Sequence, residues 1–96
     1  MHGLHRFEMY CVYVIQNPAG RFYIGQSEDI EKRLNDHNQG VSKWTKFRGP
    51  WLLVWKDGPF TLTEARRLEN LLKAQKGGDG FYRITGLLRP QKPSGS

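Results

Sequence analysis

The sequence has only one cysteine, Cys11, so no disulfide bond can form within the chain. No apolar run approaches the roughly 20 residues that a membrane-spanning helix requires. The first nine residues contain no apolar segment of the kind that marks a secretory signal. These absences argue against a disulfide-stapled secreted scaffold and against a membrane protein, and they favour a cytoplasmic location.

Acidic residues are also scarce. The 96 residues include nine Asp and Glu against 15 Lys and Arg, which gives a formal charge of +6. This excess favours polyanionic partners such as DNA, RNA or an anionic membrane surface. The length allows one domain, which we place at residues 10–88 between a flexible N-terminus (1–9) and a flexible tail (89–96). Because so small a core cannot enclose a large cofactor, no small-molecule cofactor is expected.

The first two strands are predicted to form a hairpin. Residues 10–15 are rich in β-branched and aromatic side chains, and residues 21–25 have the same character. The intervening Asn17-Pro18-Ala19-Gly20 has the composition of a type I turn followed by a glycine at positive φ. This combination predicts a three-residue loop with a bulge.

The register of this hairpin decides which side chains share a face. Opposed residues lie on one face, and so do alternate residues along a strand. With a three-residue loop, Tyr13 faces Gly25 and Ile15 faces Tyr23. Tyr13 and Tyr23 are therefore predicted to be diagonal neighbours, while an apolar set occupies the other face: Val12, Val14, Phe22 and Ile24.

Two amphipathic helices follow. The first is predicted from about Glu28 to Asn38 with Ser27 as its N-cap, and Arg33 and His37, four residues apart, share a face. The second opens with a Thr-x-x-Glu capping box and spans residues 61–76.

A third strand is predicted at Trp51–Trp55, between Pro50 and the breaker Asp57-Gly58-Pro59. Residues 81–88 can add a further short element. The element order β-β-α-β-α predicts an α+β fold, in which helices flank a small three-stranded antiparallel sheet.

Five polar side chains in these elements have the chemistry that phosphodiester hydrolysis requires: Tyr13, Tyr23, Arg33, His37 and Glu69. That reaction needs an activated water, a cation near the phosphate and often a metal ion. Tyrosine or histidine can relay the proton of the water, arginine can bind phosphate oxygens, and a carboxylate can bind Mg²⁺.

The triplet Tyr23-Ile24-Gly25, about ten residues after Tyr13, resembles the signature of GIY-YIG nucleases. Residues 30–38 resemble the first helix of that family. Further segments resemble its small stand-alone bacterial members: Trp44-Thr45, Gly49–Val54 and Thr63–Lys73. The resemblance covers roughly residues 10–78 and implies the GIY-YIG fold.

The resemblance further implies a divalent-metal-dependent endonuclease that hydrolyses DNA and leaves 5′-phosphate and 3′-hydroxyl ends. Tyr13 or Tyr23 would help to deprotonate the attacking water, and His37 would assist the proton transfer. Arg33 would bind the scissile phosphate. Glu69 would be the sole protein ligand of one Mg²⁺ or Mn²⁺ ion. The implied partner is DNA, whether branched, damaged or single-stranded.

Two positions depart from the family pattern. The first triplet is Cys11-Val12-Tyr13, which keeps only the tyrosine, and Gln26 stands where several nucleases carry a lysine. The missing cation favours a second interpretation, a non-catalytic nucleic-acid-binding module on the same fold. A third is a protein-interaction domain whose basic surface meets an acidic partner.

A basic and aromatic segment precedes the third strand. Between Ser42 and Lys56 the chain carries several cations and aromatic rings and no acidic residue. Such a segment can follow a phosphate backbone and stack on bases. The predicted nucleic-acid-binding residues are Lys43, Trp44, Lys46 and Arg48. Phe47, which lies between the last two, can stack on bases as well.

Each candidate also has an ordinary structural explanation. Tyrosines in strands commonly pack with a solvated hydroxyl. Arg33 and His37 could lie on a solvated helix face, and Glu69 could pair with Arg66 or Lys73 on its own helix.

Overall fold

The computed structural model describes residues 9–89, and its elements follow the order β-β-α-β-α-α. The predictions of a flexible N-terminus and a flexible tail lie outside the described residues, except for Met9 and Arg89. The elements are β1 (Tyr10–Gln16), β2 (Phe22–Ser27), α1 (Ile30–Asn38), β3 (Leu52–Phe60), α2 (Leu62–Ala74) and α3 (Asp79–Thr85). The predicted α+β class is confirmed, with a third helix in addition to the two predicted.

The sheet is antiparallel with strand order β2-β1-β3, so β1 lies between two edge strands. The predicted hairpin register is confirmed: Tyr13 pairs with Gly25, and Ile15 pairs with Tyr23. The loop closes through a bond from Asn17 N to Arg21 O of 3.1 Å, and Gly20 has a φ of +85°. A glycine is needed there because a side chain would strain this left-handed backbone.

The third strand is longer than predicted. It runs through Asp57-Gly58-Pro59, which had been expected to end it. Tyr10 pairs with Phe60 while Val12 pairs with Asp57, so the β3 side holds one extra residue. This bulge accommodates the breaker residues without ending the pairing. Trp51, predicted as the first residue of the strand, lies just before it, and its side chain is buried.

The first helix begins later than predicted. Its N-cap is Asp29, whose side chain accepts a hydrogen bond from Lys32 N at 3.1 Å. Ser27, the predicted cap, belongs to β2, and its Oγ accepts from the Asp29 backbone N–H at 2.9 Å. The serine thus shapes the turn into the helix, and the aspartate satisfies the first free N–H groups.

The second helix has the predicted capping box at Thr61 and Glu64. It ends at Ala74, two residues before the predicted Lys76, because the backbone turns left-handed at Lys76 and Gly77 with φ of 51° and 73°. The predicted short element is α3, which starts at Asp79 and ends before Gly86.

The sheet buries side chains on both faces. We call the face that carries Val12 and Val14 the α2 face, because Ala65 and Leu72 of α2 pack there. The face that carries Tyr13 is the α1 face, where the core consists of Tyr13, Ile15, Trp51, Tyr23, Ile30 and Leu34. Within residues 9–89, no helix combines the length and the apolar character needed to cross a bilayer.

Candidate active site

Tyr13 and Tyr23 lie side by side on the α1 face, with ring centroids 6.4 Å apart. The Tyr13 ring lies over Gly25 of the neighbouring edge strand. A Cβ atom at position 25 would come within 2.5 Å of the Tyr13 hydroxyl oxygen. The glycine of the second triplet therefore makes room for the phenol that the first triplet supplies.

His37 connects this pair to α1. It is 1% exposed, and its Nε2 lies 2.9 Å from the Tyr13 hydroxyl. Its other ring nitrogen, Nδ1, lies 2.8 Å from Oγ1 of Thr45, a threonine that is also buried. The Tyr23 ring covers the imidazole with a centroid separation of 4.6 Å. His37 is thus held between two tyrosines and a threonine, and does not occupy a solvated helix face.

Arg33 lies one helical turn before His37, and its guanidinium lies beside the Tyr13 hydroxyl. Asp36 orients it through an ion pair of 3.5 Å, and Lys32 binds the same carboxylate at 3.3 Å. The Arg33 side chain is 34% exposed, so its unpaired donors can reach a bound anion. A phosphate held there would lie next to the phenol of Tyr13.

Burial raises the pKa of Tyr13 to about 12; the Arg33 guanidinium opposes this rise, and Tyr23 and Glu69 add to it. The carboxylate of Glu69 contributes least to this rise, and α2, which carries it, packs on the opposite face of the sheet. Burial also lowers the pKa of His37, and the charge of Arg33 lowers it further, while Asp36 opposes the change. Both groups are therefore neutral at neutral pH.

Glu69 is paired with Lys73, with Oε2 and Nζ 2.7 Å apart, so one of the ordinary explanations holds geometrically. Its side chain is only 17% exposed. Within residues 9–89, no cluster of three or more His, Cys, Asp or Glu side chains could enclose a metal ion. A lone carboxylate fits Mg²⁺ or Mn²⁺, which can complete the shell with water and phosphate oxygens, and does not fit a cage built of protein ligands.

The segment Lys43–Arg48, which we call the basic loop, borders this site. The Trp44 ring stacks near Tyr23 at 5.7 Å and remains 45% exposed, and the Arg48 guanidinium lies 5.4 Å from its centroid. Lys43, Lys46 and Arg48 are exposed. Phe47 is 94% exposed and has a φ of 65°, a left-handed conformation that is rare for a bulky residue. The loop therefore presents cations and aromatic rings to solvent together.

A groove of about 560 Å³ runs along the free edge of β2 and joins the basic loop to α2 and α3. Its lining combines cations and aromatic rings: Arg21, Tyr23, Trp44, Lys73, Lys76 and Tyr82. Tyr23 belongs to both the groove and the site, so a chain lying in the groove would pass the tyrosine pair.

Sequence reasoning did not assign a role to Thr45 or foresee the close approach of Tyr13 to Gly25. The signal for Thr45 was present in the Trp44-Thr45 resemblance, but no spacing rule links position 45 to His37. Gln26, the departure from the lysine pattern, has a buried Oε1 with no hydrogen-bond partner among the described residues.

Comparison with known proteins identifies the family to which this fold belongs. Residues 9–81 match the family described as the GIY-YIG catalytic domain. The chain belongs to the GIY-YIG family, a membership that implies a nucleic-acid substrate and points to nuclease activity with a divalent metal.

Individual relatives show which group of GIY-YIG proteins this chain belongs to. A UPF0213 protein of Staphylococcus saprophyticus is 36% identical over 67 residues, 69% of this chain and 82% of the relative. One of Halobacterium salinarum is 34% identical over 85 residues, 88% of this chain and 95% of the relative. The solution NMR structure of a Bacillus halodurans UPF0213 protein has 28% identity and a TM-score of 0.42, and the match covers 77% of this chain and 92% of that one. Within the GIY-YIG family, this chain is one of the UPF0213 proteins.

Proposed function

We propose that the protein is a divalent-metal-dependent endonuclease that hydrolyses phosphodiester bonds in DNA and leaves 5′-phosphate and 3′-hydroxyl ends. One observation carries the proposal: the buried Tyr13 phenol is hydrogen-bonded to His37 and lies beside Arg33. A candidate base and a candidate phosphate-binding cation meet at one hydroxyl, and Glu69 supplies a carboxylate on α2. Packing of the core does not require this combination.

The catalytic roles follow from that arrangement. Arg33 binds and orients the scissile phosphate, because its planar fork matches two phosphate oxygens. Tyr13 and His37 take the proton of the attacking water. Tyr23 covers the imidazole and forms the wall where the groove reaches the site.

Glu69 would hold Mg²⁺ or Mn²⁺ through a single carboxylate. Such an ion, when bound, supplies charge neutralisation at the phosphate and the leaving oxygen. Lys73 must release the carboxylate for this, which its side-chain exposure of 52% allows.

The DNA-binding surface consists of Lys43, Trp44, Lys46 and Arg48 of the basic loop, extended by the groove. The three cations neutralise phosphates, and the exposed rings of Trp44 and Phe47 offer faces for stacking bases. This surface borders Tyr23, so binding there brings the substrate backbone to the site.

The non-catalytic binder is the second candidate, and Gln26 is the observation that favours it. An amide at this position leaves one fewer cation beside the phosphate than in several nucleases. The binder keeps salt-sensitive affinity for DNA and cuts nothing.

The test incubates the purified protein with labelled single-stranded, duplex, flap and branched DNA, and with RNA of the same sequences, in Mg²⁺, Mn²⁺ or EDTA. We expect metal-dependent cleavage that Glu69→Gln and Arg33→Ala abolish. Glu31→Gln and Arg67→Ala are matched controls, because both residues are exposed and neither lines the groove. They should cut at nearly the wild-type rate.

The ends of the products are then mapped by ligation, which requires 5′-phosphate and 3′-hydroxyl groups. Binding of every DNA without cleavage at stoichiometric protein would establish the binder in place of the nuclease. Cleavage that survives both Glu69→Gln and EDTA would refute the metal role of Glu69.

A further inference from the structure

Thr45 is buried and lies outside the set of residues that carry the proposed chemistry. Its Oγ1 is 2.8 Å from His37 Nδ1 and 3.4 Å from the backbone carbonyl oxygen of Ser42. Its own carbonyl oxygen accepts a 3.1 Å bond from the indole N–H of Trp51. The threonine is therefore held in place by the loop backbone and can act on the imidazole.

Three hydrogen bonds link Ser42, Thr45, His37 and Tyr13 in series, and the donor of each can be assigned. A threonine hydroxyl has one proton, and an acceptor, the Ser42 carbonyl oxygen, is available to it. Thr45 then accepts from His37, which requires a proton on Nδ1. His37 Nε2 is left without a proton and accepts from Tyr13.

The hydrogen bond between His37 and Tyr13, at the other end of this series, indicates the same tautomer. Arg33 next to the Tyr13 hydroxyl can only donate hydrogen bonds. Among the described residues, His37 Nε2 is the one acceptor recorded for the buried Tyr13 hydroxyl. If His37 carried its proton on Nε2, it would donate to the Tyr13 oxygen, and the phenol proton would lose that acceptor.

We infer that Thr45 is a positioning residue, which fixes His37 as the Nδ1–H tautomer and so aims an unprotonated Nε2 at the Tyr13 hydroxyl. The catalytic consequence rests on the proposed nuclease function. The tautomer itself does not, and can be measured in the protein without metal or DNA.

In the reaction, an electron pair of the water oxygen forms the new bond to phosphorus while the bond from phosphorus to the 3′-oxygen breaks. The water proton moves to the Tyr13 oxygen as the phenol proton moves to His37 Nε2. The 3′-oxygen leaves with its electron pair and takes a proton from solvent, and the imidazolium later returns its proton to solvent. Tyr13 stays neutral throughout, which suits a phenol whose pKa burial raises to about 12.

The charged and titratable groups around His37 are consistent with this relay. Tyr13 from β1 and Tyr23 from β2 face the ring, and Arg33 and Asp36 act on it from its own helix. Burial and then the cation of Arg33 lower the pKa of the imidazole, and Asp36 opposes that change.

The first test is the ¹⁵N NMR spectrum of histidine-labelled protein above pH 6.5, the ordinary His pKa. The sequence has three histidines, so His37→Gln identifies the His37 signals. We expect the Nδ1–H form alone in the wild type and in Thr45→Ser, and a mixture of tautomers in Thr45→Val. Tyr13→Phe should keep Nδ1–H, because Thr45 sets the tautomer.

A wild-type spectrum with the proton on Nε2 would overturn the inference, and so would an unchanged tautomer in folded Thr45→Val. If Thr45→Val does not fold, the wild-type and Tyr13→Phe spectra decide the question alone. Thr63→Val is the matched control, because it removes an exposed hydroxyl from α2.

The second test is kinetic. In an active nuclease, Thr45→Val should lower kcat by about 10-fold or more while KM for the oligonucleotide is unchanged, and Thr45→Ser should restore most of the rate. Equal loss in the valine and serine variants would contradict the positioning role. If the wild type does not cut DNA, the nuclease proposal fails, while the spectra still decide the role of Thr45.

Discussion

The ring of Tyr13 occupies the space that a side chain at position 25 would need, with the hydroxyl oxygen 2.5 Å from the site of a Cβ atom. Gly25→Ala therefore forces the phenol away from His37. We expect a loss of cleavage of about 10-fold or more and a destabilisation of about 1–3 kcal/mol from overpacking. Cleavage assays and urea unfolding measure the two effects.

A double variant provides the control for this prediction. Because Gly25→Ala acts on Tyr13, adding Tyr13→Phe should cost little further activity. Independent, multiplicative losses would show that the glycine acts by another route.

Phe47 is predicted to favour binding at the expense of stability. Its left-handed backbone suits glycine, so Phe47→Gly should leave the protein as stable or stabilise it by up to about 1 kcal/mol. Affinity for single-stranded DNA should fall about 5- to 150-fold, as expected when one stacking contact of about 1–3 kcal/mol is lost. Fluorescence anisotropy and thermal unfolding measure the two changes. Phe47→Tyr keeps the ring and should bind normally, and a loss of stability in the glycine variant would contradict the argument.

Lys73 is predicted to compete with the metal for Glu69. Removing its charge in Lys73→Met should raise the affinity for Mn²⁺ about two- to fivefold, the range expected for an ion pair worth under about 1 kcal/mol. Electron paramagnetic resonance of free Mn²⁺ measures this without DNA. Lys76→Met is the control, since Lys76 shares the groove but forms no ion pair with Glu69. Weaker Mn²⁺ binding in Lys73→Met would count against competition.

The buried His37 predicts a pH dependence of stability. Folding lowers its pKa below the ordinary value of 6.5, so just below 6.5 the unfolded chain binds more protons at this residue than the folded chain. Stability is therefore fully present above 6.5 and is lost as the pH falls through the window between 6.5 and the folded pKa. Urea unfolding across this window should show a steeper loss in the wild type than in His37→Gln. Parallel losses would assign the effect to other groups.

Trp51 is predicted to anchor the basic loop. Its indole N–H bonds to the buried Thr45 backbone, so Trp51→Phe leaves that carbonyl oxygen unpaired and should cost about 1–3 kcal/mol. Trp55→Phe is a matched control, because Trp55 is only half-buried and no indole bond is recorded for it among the described residues. If urea unfolding showed equal losses of stability in the two variants, the Trp51 hydrogen bond would have no special role.

Local sequence rules predicted the hairpin well. Gly20 at a positive φ fixes the loop length, the loop length fixes the register, and the register places Tyr13 beside Tyr23. The capping box of α2 was likewise predicted from the sequence, because both of its partners lie within one helical turn. These features depend on residues close together in the chain.

Features that depend on residues far apart in the sequence could not be predicted from local patterns. The length of β3 depends on its pairing with β1, which carries the strand past Gly58 through a bulge. The bond between His37 and Thr45 depends on how the basic loop folds back over α1. The N-cap of α1 shifted to Asp29 because Ser27 was already drawn into β2.

The proposed catalytic side chains are divided between elements that pack on the two opposite faces of the sheet. Tyr13 and Tyr23 belong to the hydrophobic layer beneath α1, whereas Glu69 lies on α2, whose Ala65 and Leu72 pack on the opposite face of the sheet. Under the proposed nuclease function, a partly unfolded form that kept only one of these layers would hold only part of the proposed site and would not cut nucleic acid. Under that proposal, only complete folding brings all of the proposed catalytic side chains into one molecule-wide arrangement.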